Sequence, residues 1–354
     1  MTLYLFTLCG VFLISTIATN FEKNSLKSKI WIFILVVFLI LISGLRVDST
    51  LYSDEWNYRH MFNSYIGVPL SSIHWSLLKE PAFKFLMWFL ANIGLEAQSL
   101  VLVAAIFTIS VYVWFIYKNS HDFQLALYIF IAGGTFFTTM NILRQYIAIS
   151  IILMGFHNIE KKKKWRFLVY VFIASLFHVS AWIAIGYYFF LNIEKIEKKL
   201  LPLGIVLFIL IGNFSKIIQI LESTEYGDYS VSYATNGYGV SWMRLIFWGA
   251  IAIFILLEKT NIFQNEEFSK NIVNGYFLST FLLIASKVYV YIFRLDYTGI
   301  CTCIMISQTP KAFTEKSRKL AKLLIMFVFF LYGYYQVVVI GAYSNMRNLL
   351  FTFI

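Results

Sequence analysis

Arg144 stands between two apolar runs, in Asn141-Ile142-Leu143-Arg144-Gln145-Tyr146. A guanidinium near membrane depth is costly unless it faces a cavity and has a partner. Its fork of donors suits a phosphate or carboxylate, and the other reading is an arginine reaching for the interface. Arg294 occupies a second tight turn, Phe293-Arg294-Leu295-Asp296-Tyr297, either as another anion clamp or as the partner of Asp296. Two arginines on one face would suit a diphosphate better than either alone. His178 lies in an apolar run with Ser175 and Ser180 as its nearest polar neighbours. It is either a hydrogen-bonded core residue or a group that gives a hydrogen bond or proton to a phosphate oxygen or sugar hydroxyl. The stretch 46–80 holds Asp48, Asp54, Glu55 and Glu80, interleaved with Tyr52, Trp56, Tyr58, Tyr65 and Trp75. Carboxylates among aromatic rings suit carbohydrate, although an interfacial aromatic belt has a similar composition. Tyr226, Tyr229, Tyr233 and Tyr238 carry the same two readings.

Such groups need a scaffold, and the composition specifies its kind. The 354 residues are 60% hydrophobic and only 13% charged, against about 25% charged in soluble domains. A transmembrane helix takes ~20 mostly apolar residues, so the chain has material for roughly ten. This excludes a soluble globular protein, a disulfide scaffold and a disordered chain. The net charge of +11 does not point to nucleic acid, because the charges sit in short loops between apolar runs, as topology signals do. Four prolines, 18 glycines and no alternating strands argue against a β-barrel. The expected fold is all-α: one polytopic transmembrane domain over 1–354, with about ten helices plus broken or re-entrant half-helices. The three cysteines, Cys9, Cys301 and Cys303, read as small packing residues inside apolar runs. The N-terminal run has no positive charge before Asn20 and reads as a retained helix rather than a cleaved signal.

Apolar runs bounded by charges fall at 2–19, 30–45, 98–117, 123–140, 141–158, 167–191, 200–213, 241–257, 271–293, 297–309 and 320–340. The segment 81–95 starts at Pro81 and is short, as an interfacial or re-entrant half-helix would be. Positive loops stay in the cytoplasm, which places 20–29, Lys161–Arg166 and the cluster from Lys311 to Lys322 inside. The run 167–191 decides the parity. If it crosses once, the later basic loops fall outside. If it breaks near Phe177-His178-Val179-Ser180 and returns, they stay inside, and the basic loops favour this hairpin. Broken helices at membrane depth line cavities. The loops 46–97 and 214–240, the turns at Arg144 and Arg294 and the tip at His178 then converge on the extracytoplasmic face.

No Gly-rich phosphate loop, HExxH, DxD, EF-hand or GxSxG pattern is present. No metal and no cofactor is expected. The order of the remaining motifs resembles the EpsG/Wzy-like family of exopolysaccharide and O-antigen polymerases. Arg46 follows the second apolar run, and Asp54-Glu55-Trp56-Asn57-Tyr58-Arg59-His60-Met61-Phe62 resembles the family's Gly-x-Asp-Tyr-x-x-Tyr-x-x-x-Phe stretch. Glu55 replaces the first tyrosine, and Tyr52 stands where the glycine would be. Glu80-Pro81-Ala82-Phe83 resembles Glu-Pro-Gly-Phe, with Ala82 for the glycine. Arg144-Gln145 opens a helix ending in a Lys-rich turn, Phe177-His178-Val179-Ser180-Ala181 resembles Phe-His-x-Ser-Ala, and Arg294 precedes Tyr297 and Pro310.

The resemblance implies a metal-independent glycosyltransferase of the bacterial cytoplasmic membrane, with its site on the outer face. It would move a glycan from undecaprenyl diphosphate to a lipid-linked repeat unit. The partners it implies are these lipid-linked donor and acceptor oligosaccharides, the bilayer and a chain-length regulator protein. Arg144 and Arg294 would hold the diphosphate, with Arg46, Tyr58 and Tyr297 as further substrate contacts. Asp54 or Glu80 would act as base, with His178 nearby. A flippase for the same lipid-linked oligosaccharide, or a membrane O-acetyltransferase, are the other activities to separate.

Overall fold

In lipid a backbone amide finds no water, so an apolar run must satisfy its amides within itself and becomes a helix. The computed structural model describes residues 2–48, 54–73, 79–196, 199, 240–258, 262, 269–287, 290–339 and 346–348. It is helical almost throughout. Its strands, among the described residues, are β1 (Arg46–Asp48) and β2 (Met346–Asn348), antiparallel with Arg46 opposite Asn348.

The residues form two compact units: 1–185 with 313–354, and 186–312. The first holds α1 (Thr2–Thr19), α2 (Leu26–Gly44), α3 (Asp54–Asn63), α4 (Pro81–Asn92), α5 (Gln98–Asn119), α6 (Phe123–Ala132), α7 (Thr135–Thr139), α8 (Leu143–Glu160) and α9 (Lys164–Ser175). Its last helix, α14 (Glu315–Tyr334), packs on α6. The second unit contains α10 (Ala184–Leu191, which begins at the boundary), α11 (Trp242–Leu257), α12 (Lys270–Ala285) and α13 (Gly299–Ile306).

Among the described residues, four helices are long and apolar enough to cross a membrane: Thr2–Thr19, Leu26–Gly44, Gln98–Asn119 and the run Glu315–Val337. Shorter apolar helices cover Phe123–Ala132, Val179–Leu191 and Trp242–Leu257. The expected count took in the whole chain, including the run 200–213 outside the described residues, and some of the runs it counted are interrupted. The run 123–140 is cut where Gly134 adopts φ 87, which a side chain would resist. The run 167–191 breaks where the sequence led one to expect, cut after Ser175 and resuming as a 3-10 turn, Val179–Ile183, with His178 extended between the pieces. The segment 81–95 yields the twelve-residue α4, about 18 Å long and too short for a ~30 Å hydrocarbon layer. The stretches 49–53, 74–78 and 200–239 lie outside the described residues, and with them Tyr52, Trp75, the run 200–213 and the four tyrosines from Tyr226 to Tyr238.

α5 is the centre of the first unit, packing on α2, α4, α6 and α8. Phe115 meets Phe156 of α8 edge-on at 5.2 Å, and Tyr112 stacks on Phe130 of α6 at 5.5 Å. α2 ends in Gly44 because a side chain there would run into Leu102, whose Cδ1 would be 2.7 Å away. This close approach seats Arg46 against α5. By contrast, α14 turns Leu320, Leu323, Leu324 and Phe327 outward, as a lipid-facing surface does.

Candidate functional site

Glu80 is the hub of the first unit's charged groups. Pro81 fixes the first turn of α4 and also closes the right-handed helical region to the residue before it. Glu80 sits instead at φ 58, ψ 56, in the left-handed region rather than the extended one that usually precedes proline. A non-glycine residue held there stores about 1–3 kcal/mol of strain. The Ala82 amide donates to the Leu176 carbonyl at 3.0 Å, joining the start of α4 to the end of α9. That junction brings the Glu80 carboxylate to His178.

Both Glu80 oxygens are occupied. His178 Nδ1 lies 2.5 Å from Oε1, which also accepts from the Val179 amide at 3.3 Å. Arg144 Nη1 donates to Oε2 at 2.5 Å. The Glu80 side chain is 6% exposed, against 21% for His178 and 35% for Arg144. The carboxylate is therefore at the back, and the two nitrogen-bearing groups stand in front of it. Glu80 lies outside the long apolar helices. Burial alone would raise its pKa, but the hydrogen bond from His178 and the charge of Arg144 outweigh it and hold the carboxyl below its ordinary value.

Arg144 opens α8, where the chain turns after Met140–Ile142. Its Nε donates to the Tyr58 hydroxyl at 3.3 Å, and its guanidinium lies 5.4 Å from the Tyr58 ring centre. Such a cation over a ring is attracted by the ring's negative face. Tyr58 is buried and packs edge-on against Phe83 of α4 at 5.4 Å. Burial raises its pKa, so it stays a neutral hydroxyl. Arg144 Nη2 and His178 Nε2 have no hydrogen-bond partner among the described residues. The site thus presents one free edge of a guanidinium and one free imidazole nitrogen, with a shared carboxylate behind them.

Tyr58, Glu80, Arg144 and His178 are the sequence-derived candidates that the fold brings together. Asp54 lies one helical turn before Tyr58 on α3 and within its electrostatic reach. Its carboxylate makes no hydrogen bond or ion pair among the described residues. Arg46 is 1% exposed, too enclosed to face a substrate in this structure. Its Nε makes a close ion contact with Glu55 Oε2 at 3.0 Å, off the line of a hydrogen bond. Leaving one partner of a buried pair like this unmatched costs about 3–5 kcal/mol. In the second unit Arg294 is exposed, in a 3-10 turn Val290–Leu295. Tyr297 is buried, its ring edge-on to Tyr187 at 6.4 Å. Asp296 Oδ1 accepts from Ser279 Oγ at 2.8 Å and from the Thr298 amide at 2.9 Å.

Sequence reasoning missed the partners of Arg46. Glu55 and Arg59 have the one-turn spacing of a helical ion pair, which was the available signal. Gln98, which also joins this group, had none.

The EpsG family model matches residues 29–353. No curated protein and no solved structure matches the chain.

Proposed function

Because the chain belongs to the EpsG family, we propose that this membrane protein is a polysaccharide polymerase, a metal-independent glycosyltransferase acting on lipid-linked sugars. The observation that carries the reading is the buried Glu80 carboxylate holding His178 on one oxygen and Arg144 on the other. In this proposal the chain crosses the bacterial cytoplasmic membrane about ten times. Its site faces outward, and the run 167–191 dips in and returns.

The donor is a glycan on undecaprenyl diphosphate. The acceptor is a sugar hydroxyl of a lipid-linked repeat unit. The acceptor oxygen attacks the anomeric carbon and forms the new glycosidic bond. The bond from that carbon to the diphosphate oxygen breaks, and its electron pair leaves with the diphosphate. Arg144 matches the charge that develops there, through the guanidinium edge not used by Glu80 and Tyr58. The acceptor proton passes to His178 Nε2. Glu80 takes the Nδ1 proton in a hydrogen bond, which fixes the tautomer and supports the charge on the ring. A diphosphate leaves readily once its charge is matched, so the scheme calls on no metal ion. Glu80 itself is a poor base, because its hydrogen bonds keep it ionised at low basicity. Asp54, with its unengaged carboxylate, is the second candidate for the proton. For Arg294 the proposal is a contact with an anionic group of the substrate, and for Tyr297 support of the turn that carries it. A chain-length regulator is the proposed protein partner.

The test combines His178→Ala, His178→Gln, Arg144→Ala and Arg144→Lys, with glycan length and protein level read in the same cells. Losing the base should slow transfer by about 10²–10⁴-fold. Arg144→Ala should lower transfer at least ~10-fold, since 1.4 kcal/mol is one decade and a charge-assisted bond is worth about 1.5–3 kcal/mol. Arg144→Lys restores the charge without the fork and should recover part of the activity. Single repeat units on the surface lipid, at normal protein level, support the reading. Full-length polymer from Arg144→Ala ends it. A near absence of surface repeat units points instead to a flippase, and a change of mass at constant chain length to an acetyltransferase.

A further inference from the structure

A second polar assembly in the first unit links Arg46, Glu55, Arg59 and Gln98 in a ring. Arg46 Nη1 donates to the Ser43 carbonyl, and Nη2 to the Met140 carbonyl. Its Nε is 3.0 Å from Glu55 Oε2. The other Glu55 oxygen accepts from Arg59 Nε at 3.0 Å and Nη2 at 2.6 Å. Arg59 Nη2 also donates to Gln98 Oε1 at 2.6 Å. Gln98 Nε2 then donates back to the Gly44 carbonyl at 2.6 Å and the Arg46 carbonyl at 3.2 Å. The Arg46 and Glu55 side chains are 1% and 2% exposed.

The ring has two outlets toward the site. Glu55 lies on α3 just before Tyr58, and Met140 opens the turn that leads to Arg144. Arg46 touches both. An ion pair of this burial adds little net stability over apolar residues of the same size, so stability alone does not account for it. What it does supply is directionality. One guanidinium thus bridges the Met140 carbonyl, by a hydrogen bond, and the Glu55 carboxylate, by charge at 3.0 Å, and its width sets their separation. That separation in turn sets where Tyr58 stands beside Arg144.

We propose that Arg46 and Glu55 are positioning residues, which hold the Tyr58 helix and the Arg144 turn in register for transfer. The role assigned to the register rests on the polymerase reading above, but the register itself does not. Displacing a reacting group by about 1 Å can cost ~10²-fold in rate. Arg46→Lys keeps the charge beside Glu55 and loses the second donor for Met140.

The experiment uses the full chain in membranes and in detergent. It reads protein level, backbone amide exchange over 139–143 against the middle of α5, and the separate kcat and KM for a lipid-linked donor. Arg46→Lys should accumulate normally, exchange faster over 139–143 with α5 unchanged, and lose roughly tenfold or more in kcat with a smaller change in KM. Unchanged exchange and full turnover overturn the proposal. If Arg46→Lys does not accumulate, the apolar triple change Arg46→Met, Glu55→Leu, Arg59→Met restores packing without the ring. Full turnover in that variant, or failure of both variants to accumulate, assigns the ring to fold-holding alone and overturns the proposal too. Normal polymer from Arg144→Ala would sink the polymerase reading by itself, while faster exchange over 139–143 in Arg46→Lys would still show the register being held.

Discussion

Glu80 makes the site a unit rather than three separate polar groups. Its carboxylate serves His178, Val179 and Arg144 together, so Glu80→Gln disturbs all of them while keeping the side-chain volume. The amide leaves Arg144 without a counter-charge, and its single oxygen can no longer accept from Arg144 and His178 together. We expect transfer to fall by about 10²-fold or more, within the range for loss of acid–base function. The stability cost should be nearer 1–3 kcal/mol than the figure for a sealed ion pair, because Arg144 keeps a third of its surface in contact with solvent. The pH dependence has a definite sign. The Glu80 pKa is lowered in the folded protein from an ordinary value of 4.5. Its contribution is therefore fully present above that value and is lost as pH falls through the folded pKa. The melting temperature of the natural protein in detergent should exceed that of Glu80→Gln at neutral pH, and the gap should close as the medium is acidified below about pH 4.5. A gap that stays constant into acid would show that Glu80 is not the charged partner.

At the scale of elements, the site depends on helices that stop. α9 ends at Ser175, α4 begins at Pro81, and the extended His178 lies in the gap before the next turn. A continuous helix through 167–191 would carry His178 past Glu80 instead of presenting its Nδ1 to it. Pro81 enforces one of these stops. In Pro81→Ala the helix can extend back through Glu80, relieving about 1–3 kcal/mol of left-handed strain while swinging the carboxylate off His178. The expected outcome is a protein at least as stable as the natural one, with transfer down tenfold or more, as for a mispositioned group. Normal turnover in Pro81→Ala would show that the left-handed conformation does not serve the site. The same break at 176–178 bears on topology. We expect cysteines placed in 159–166 and in 193–199 to resist an impermeant thiol reagent applied from outside, in a background lacking Cys9, Cys301 and Cys303. Labelling of the second segment alone would mean that 167–191 crosses once.

Across the whole molecule, composition and charge placement were enough to determine that the chain is an α-helical membrane protein. That legibility has a simple cause. A bilayer allows a lipid-facing backbone few solutions, and 60% apolar content leaves water no part in the core. The types of the site residues were legible for a related reason: Arg144 and His178 are expensive to keep among apolar neighbours, so each stood out in its own run, while Glu80 was one of four carboxylates in the polar stretch 46–80. Their grouping was not legible. Glu80 and His178 are 98 residues apart, and Glu80 and Arg144 are 64 apart, so no local spacing relates them. The role of Arg46 was hidden in the same way. In sequence it was one more cation at the end of an apolar run, and only its burial against Glu55 and Met140 points to the positioning role proposed for it. The interruption at Gly134 lies within an apolar run that hydropathy treats as continuous, whereas the break in 167–191 was expected from the basic loops on either side of it. Hydropathy is a property of residues taken one at a time. Which carboxylate is shared, and which arginine keeps a free edge, depends on where separate helices end against one another, and tertiary packing alone decides that.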